Sequence, residues 1–255
     1  MSKSKLISLH GQFAAGTAIN NAWLTMGDVY LAEIVASGGG FASVTLDMQH
    51  GLVDQKTAFA CIRAIQGFGA YALVRLPKWD PALIGLLLDF GVDGLMMPQT
   101  NSVEEAEQFV AACFYPPRGV RSHGPNRVNL LAERTLEGAA LFCMIETMSG
   151  LETVAGIAAV EGLTGLFIGP GDLGIALGLG PGQDRREPEF LKAKSAIQTA
   201  VFANEKVAGM HANTPEYALE MVAEGFQLVT TWVDSLAVQR SINEAAHKWR
   251  QGRRE

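Results

Sequence analysis

Two carboxylates in the middle of the chain, Glu146 and Asp172, each stand where a short apolar run gives out: Leu141 to Ile145 before the first, Leu163 to Ile168 and then Gly169-Pro170-Gly171 before the second. Runs of this kind suit buried parallel strands, so both acids arrive at the same end of a sheet. Two such acids can share one hard divalent cation, with waters and a substrate in the other octahedral positions. Two solvated loop acids would give the same pattern. Arg75 closes another apolar run, and an arginine there needs either a substrate or a structural acid as partner. His50 lies three residues after Asp47, and an Asp beside a His can fix its tautomer and raise its basicity, as in a general base. A helix-capping Asp47 and a merely polar His50 are the plainer alternative. Gly169-Pro170-Gly171 can expose backbone N–H groups as a nest for a substrate carboxylate, or form an ordinary turn.

These residues need a scaffold that brings them together. At 255 residues the chain fits one (β/α)8 barrel, which takes about 250. Apolar residues at 48% and charged ones at 18% allow a large interior and argue against disorder. A net charge of -6, with cations clustered only at Arg250, Arg253 and Arg254, gives no footprint for nucleic acid. The odd set Cys61, Cys113 and Cys143 contains no CxxC and suits a reducing compartment. No apolar run approaches the roughly 20 residues of a membrane span, and the start resembles no signal peptide. The expectation is a soluble, cytoplasmic protein with no membrane partner.

In order, the expected elements are a strand at Ala22 to Met26, a helix capped by Asp28 and ended by Gly38-Gly39-Gly40, a strand at Ser43 to Asp47 and a helix opened by Asp54. A third strand, Ala70 to Arg75, is stopped by Pro77; the next helix starts at Asp80-Pro81 and closes at Gly91. Gly94 to Met97 is strand four, and Ser102 with Glu105 forms a capping box. Tyr115 to Leu131, rich in Pro, Gly and Arg, reads as a long basic loop, a lid or an interface. Strand five is Leu141 to Ile145, followed by a helix capped by Ser149 and running to about Val160, then strand six at Leu163 to Ile168. A glycine-rich loop from Gly171 to Asp184 precedes a helix at Pro188 to Asn204. Strand seven at Val207 to His211, a helix from Thr214-Pro215, strand eight at Gln227 to Thr231 and a helix from Ser235 complete the chain. Eight alternations favour a (β/α)8 barrel, residues 1–255 as one domain, and no GxGxxG follows the first strand. Chemistry then belongs at the C-terminal strand ends: Asp47 and His50, Arg75, Pro98 and Gln99, Glu146, Asp172, His211 and Asp234.

Alternation turns Glu146 and Met144 inward and Cys143 and Ile145 toward the helices. His211 borders this end; His247 reads as surface, and Met96, Met97, Met144 and Met210 as core filling. Asp89 is out of place. It sits at a helix C-terminus, where an acid costs some tenths of a kcal/mol, on the face away from its own barrel's site. A solvated Asp is the plain reading.

With those positions together, the chain resembles the HpcH/HpaI aldolase family of the phosphoenolpyruvate/pyruvate barrel superfamily. The matching pieces are Ala32-Glu33-Ile34, Asp47-Met48-Gln49-His50-Gly51, Val74-Arg75-Leu76-Pro77, Tyr115-Pro116-Pro117-Arg118-Gly119-Val120-Arg121, Ile145-Glu146-Thr147 and Phe167-Ile168-Gly169-Pro170-Gly171-Asp172-Leu173. The resemblance implies a metal-dependent aldolase in which Glu146 and Asp172 bind Mg2+, Mn2+ or Co2+. Arg75 would polarise the keto oxygen and His50 act as base, with Asp47 and Asp89 in the catalytic set. Trp23, Gln49, Arg75, Gly171 and Asp172 would meet the substrate. It further implies a hexamer, a trimer of dimers, that exchanges the last helix, with Asp89 reaching His50 of a neighbouring subunit. Gln49 and Met144 depart from the family, which often has Glu and Gln there. The implied reaction joins pyruvate or hydroxypyruvate, as a metal-bound enolate, to an aldehyde, giving 4-hydroxy-2-oxo acids, and its reverse. No lysine reaches a strand end for a Schiff base. A citrate lyase or malyl-CoA lyase type using the basic loop on CoA, and a non-catalytic 2-oxo-acid sensor, are the rival readings.

Overall fold

The structure, a computed structural model, describes residues 8–131 and 138–252; Arg253 and Arg254 of the cationic cluster lie outside them. The elements in chain order are α1 (Leu9–Ala14), β1 (Ile19–Leu24), α2 (Val29–Ser37), β2 (Ser43–Asp47), α3 (Gln55–Gly67), β3 (Tyr71–Arg75), α4 (Pro81–Phe90), β4 (Gly94–Met97) and α5 (Val103–Cys113). They continue with β5 (Ala140–Ile145), α6 (Met148–Glu152), α7 (Val154–Ala159), β6 (Gly165–Ile168), α8 (Pro170–Ala176), α9 (Pro188–Ala203), β7 (Val207–His211), α10 (Pro215–Ala223), β8 (Leu228–Val233) and α11 (Asp234–Gln251). The eight strands are parallel and close in sequence order, β8 pairing with β1. This is the expected (β/α)8 barrel.

Alternation along each strand splits the core in two. One set of side chains, among them Val74, Leu95, Cys143, Ile145, Leu166 and Ile168, packs against the helices. The other fills the barrel interior with Trp23, Leu73, Met96, Phe142, Met144, Phe167 and Leu228, and Leu9 and Phe13 of α1 join it. That first helix was not expected from the sequence, because its apolar content is only a few residues in a polar neighbourhood. Helix entries follow the expected chemistry at Asp28, Asp54, Asp80, Ser102 and Thr214, each side chain accepting from a first-turn N–H. Gly91 closes α4 in the left-handed region, at φ 84.

Four boundaries differ for physical reasons. β1 starts earlier than expected because its polar residue Asn21 is buried inside the barrel, where it bonds Thr230, Ser43 and Thr45. The helix after β5 is capped by Thr147, not Ser149, since the Thr147 hydroxyl accepts from Gly150 N–H at 3.1 Å, and it breaks into α6 and α7. β8 runs on to Val233, and Asp234 opens α11. The segment read as a loop from Gly171 begins instead as helix α8, with Pro170 in its first turn.

Candidate active site

Glu146 leaves the end of β5 inside the barrel, 1% exposed. Its Oε1 accepts from the Gln99 backbone N–H at 2.8 Å. Gln99 holds that N–H in place from a left-handed φ of 48, a conformation uncommon outside glycine that marks local strain at the site. The other oxygen, Oε2, is buried with no hydrogen-bond partner. Burial pushes the Glu146 carboxyl up to about 7; Gln99 and Arg75 oppose that rise, while Asp172 and Asp47 add to it. Asp172 lies in the first turn of α8, so the turn expected at Gly169-Pro170-Gly171 is a helix start, and its N–H groups are those of a first turn.

A cavity of about 190 Å³ opens at this end of the barrel, lined by Trp23, His50, Arg75, Met144, Glu146, Gly169, Pro170, Gly171, Asp172, Gln183 and His211. Most of the expected site residues are therefore brought together. Arg75 bonds Asp47 through both Nε (2.9 Å) and Nη2 (2.5 Å) and lies over the Trp23 ring at 5.0 Å. Its Nη1 has no protein partner among the described residues.

Asp47 does not orient the His50 ring, which corrects the expected pair. Its carboxylate takes Arg75, the Trp23 indole N–H at 3.2 Å and the backbone N–H groups of Gln49 and His50 at 3.0 and 3.1 Å. Burial raises the Asp47 carboxyl, but the Arg75 guanidinium outweighs it and holds the group below the usual carboxylate range. Asp47 thus anchors Arg75, Trp23 and the His50 turn at once. Gln49 is half-buried outside the cavity lining, with its Oε1 unpartnered.

Asp234, at the end of β8, is also reassigned. It is fully buried and accepts from Thr25 and Met26 N–H and the Thr25 hydroxyl, tying α11 to the β1 loop. Asp89 is not solvated: it is buried and paired with Arg121 at 2.5 Å. Together they line a second cavity, of about 340 Å³, with Gly85, Leu86, Val120 and Ser122, none of which lines the first. No residue of the basic loop lines the first cavity either, so it is no lid over it. Arg121 goes to Asp89, and Arg127 to Gln66 and the Phe90 carbonyl. Burial pushes all three cysteine thiols up, which leaves them poor nucleophiles.

Two supporting residues escaped sequence reasoning. Gln183 lines the cavity from the segment after α8. Arg185, 4% exposed, donates to the Pro170 carbonyl at 3.1 Å, to the Gly180 carbonyl and to Glu187, clamping α8 and with it Asp172. Only the glycines of the Gly171 to Asp184 stretch hinted at this: a Cβ on Gly174 would overlap the Arg185 guanidinium.

The donor set can take a hard cation. The unpartnered Glu146 oxygen and the half-buried Asp172 face one cavity, and anionic oxygen is what Mg2+ or Mn2+ prefers. Among the described residues no cluster of three or more His, Cys, Asp or Glu forms, so water and substrate would supply the remaining ligands. Gly169 tests this. Its φ of -93 suits alanine, yet a Cβ there would overlap Glu146 Oε2. Gly169→Ala is expected to fold while losing divalent-metal affinity by about tenfold or more, measured calorimetrically. Unaltered affinity would place the cation elsewhere.

A family model described as HpcH/HpaI aldolase/citrate lyase matches residues 22–238. A hydroxypyruvate/pyruvate aldolase of Pseudomonas aeruginosa is 32% identical over 249 residues, 93% of this chain and 91% of that protein. One of Rhizorhabdus wittichii is 35% identical over 235 residues, 88% of this chain and 92% of that protein. The crystal structure of an HpcH/HpaI aldolase/citrate lyase family protein from Burkholderia cenocepacia superposes with a TM-score of 0.85 at 25% identity, covering 95% of this chain and 98% of that one. Matched along most of its length by one family model and by relatives above 30% identity, the chain belongs to the HpcH/HpaI aldolase/citrate lyase family and is an enzyme of its aldolase type.

Proposed function

We propose that the enzyme is a divalent-metal-dependent aldolase joining a 2-oxo acid, pyruvate or hydroxypyruvate, to an aldehyde and running the reverse cleavage. The unpartnered, buried Glu146 Oε2 beside Asp172, Arg75 and His50 carries this reading. Glu146 and Asp172 would hold the cation, which supplies positive charge at the donor's keto oxygen when bound. Arg75, held at two points by Asp47, keeps Nη1 for the charge that develops on that oxygen. First-turn N–H groups at Gly171 and Asp172 suit the donor carboxylate. His50, exposed at the cavity's mouth, takes the C3 proton directly or through water. Trp23 stacks on Phe167 at 6.0 Å and forms the apolar wall. With its arginines engaged outside the cavity, the basic loop gives an acyl-CoA substrate no support. Incubation with Mg2+ or Mn2+, either donor and a panel of aldehydes should yield 4-hydroxy-2-oxo acids; no adduct from any pairing refutes the reading.

We propose further that the working unit is a homo-oligomer, a hexamer of paired subunits that exchange α11. In the single chain α11 buries only Asp234, leaving Leu236, Val238, Ile242 and Trp249 exposed, while α2 exposes Tyr30 and Ile34. The Asp89 groove is edged by exposed Leu86 and Val120. Asp89 would orient His50 of the adjoining subunit. Co-expressed His50→Ala and Asp89→Asn chains, each nearly inactive alone, should form mixed oligomers with a fraction of normal activity, since some sites pair two wild-type residues. Full activity of folded Asp89→Asn, or no recovery on mixing, would end the shared-site proposal.

A further inference from the structure

His211 ends β7, and its ring meets the Trp23 indole edge-on, 5.3 Å between centroids, on the side of the cavity formed by β1 and β7. Among the described residues neither ring nitrogen has a hydrogen-bond partner, although the residue is half-buried. Burial and then the Arg75 charge push its pKa down to about 4, so near pH 7 it is a neutral imidazole with one donor and one acceptor. Such a group facing a ligand cavity costs free energy until something in that cavity satisfies it.

The rest of the lining says what that something is. Resting on the aldolase reading above, a 2-oxo acid turns its carboxylate and keto oxygen toward Arg75, Glu146 and Asp172, which come from β3, β5 and the start of α8. Its third carbon is then left toward the remaining polar side chains of the lining on β7 and after β2, His211 and His50, beside Trp23. His50 is needed for the C3 proton. His211 has no part in that step, yet it offers both a donor and an acceptor to a substituent on the same carbon.

We propose that His211 selects the donor: its imidazole hydrogen-bonds a hydroxyl on C3, so that a 3-hydroxy-2-oxo acid is preferred over one ending in a bare methyl. A methyl group leaves the ring nitrogen that faces it unsatisfied; a hydroxyl can donate to that nitrogen when it is the acceptor, or accept from it when it carries the proton. A leucine in its place presents a purely apolar wall and removes that distinction.

The test compares hydroxypyruvate and pyruvate in the wild type, His211→Leu and His211→Asn, with Mg2+ present. Two quantities are read: calorimetric binding of each donor without aldehyde, and the rate of C3 proton exchange in D2O. In His211→Leu the preference for hydroxypyruvate over pyruvate should fall by about tenfold or more in both quantities. Asparagine, which keeps a donor and an acceptor, should restore part of it. An unchanged preference, including an equal loss for both donors, overturns the proposal, because a merely structural or a shared catalytic role moves the two donors together. If the wild type exchanges neither donor, the aldolase reading itself fails. If it exchanges both and the ratio does not respond to residue 211, only the donor-selection proposal fails.

Discussion

Glu146→Gln is expected to abolish metal binding and turnover together, while making the metal-free protein more stable near pH 8. The loss follows from the proposed donor set: the chain would supply two carboxylates to the cation, and the substitution removes the buried one. The gain follows from burial. With a folded pKa of about 7 against an ordinary 4.5, Glu146 contributes stability fully present below about pH 4.5 and lost as the pH climbs through 7. At pH 8 the metal-free wild type therefore carries a buried charge that Gln lacks, a difference on the order of 1–3 kcal/mol. Thermal melts at pH 5 and pH 8 with EDTA check the sign: the advantage of Glu146→Gln should appear at pH 8 and shrink at pH 5. A variant that melts earlier than wild type at pH 8 contradicts the stability half, and one that still binds Mg2+ tightly contradicts the metal half.

Arg75→Lys should lower kcat by about 100-fold or more, the scale of losing a transition-state oxyanion donor. Charge is kept, but the planar fork is not: lysine cannot hold both Asp47 oxygens and still present an N–H to the cavity. The ring contact with Trp23 goes as well. Steady-state kinetics with saturating metal decide the matter, and an unchanged kcat would reduce Arg75 to a structural partner of Asp47.

The barrel was legible because each unit announced itself twice, by an apolar run of strand length and by a capping residue at the following helix. Asp54, Asp80-Pro81, Ser102 and Thr214-Pro215 open helices as their chemistry dictates. Legibility failed where long-range contacts outvoted local pattern. Asn21 looks like a loop residue until Ser43, Thr45 and Thr230, on the strands to either side, satisfy it. Glycines around residue 171 suggested a loop, yet Arg185, further along the chain, clamps that segment as a helix. Glu146, Asp172, Arg75 and His50 could be chosen from strand ends alone, and they line one cavity. The role of Asp47 could not, since three residues apart in sequence does not tell whether a carboxylate turns to the His50 ring or to its backbone. The partner of Asp89 was hidden likewise, because Arg121 approaches it from another element.

On the proposed mechanism, Glu146 and Asp172 recruit a cation that acidifies C3 of a 2-oxo acid. Exchange of the pyruvate methyl protons in D2O, followed by proton NMR without any aldehyde, tests it most directly. The methyl signal should decay with enzyme and Mg2+, stop on adding EDTA, resume when Mg2+ is restored, and never decay with Glu146→Gln. Exchange that persists undiminished in EDTA, or in Glu146→Gln, would contradict it.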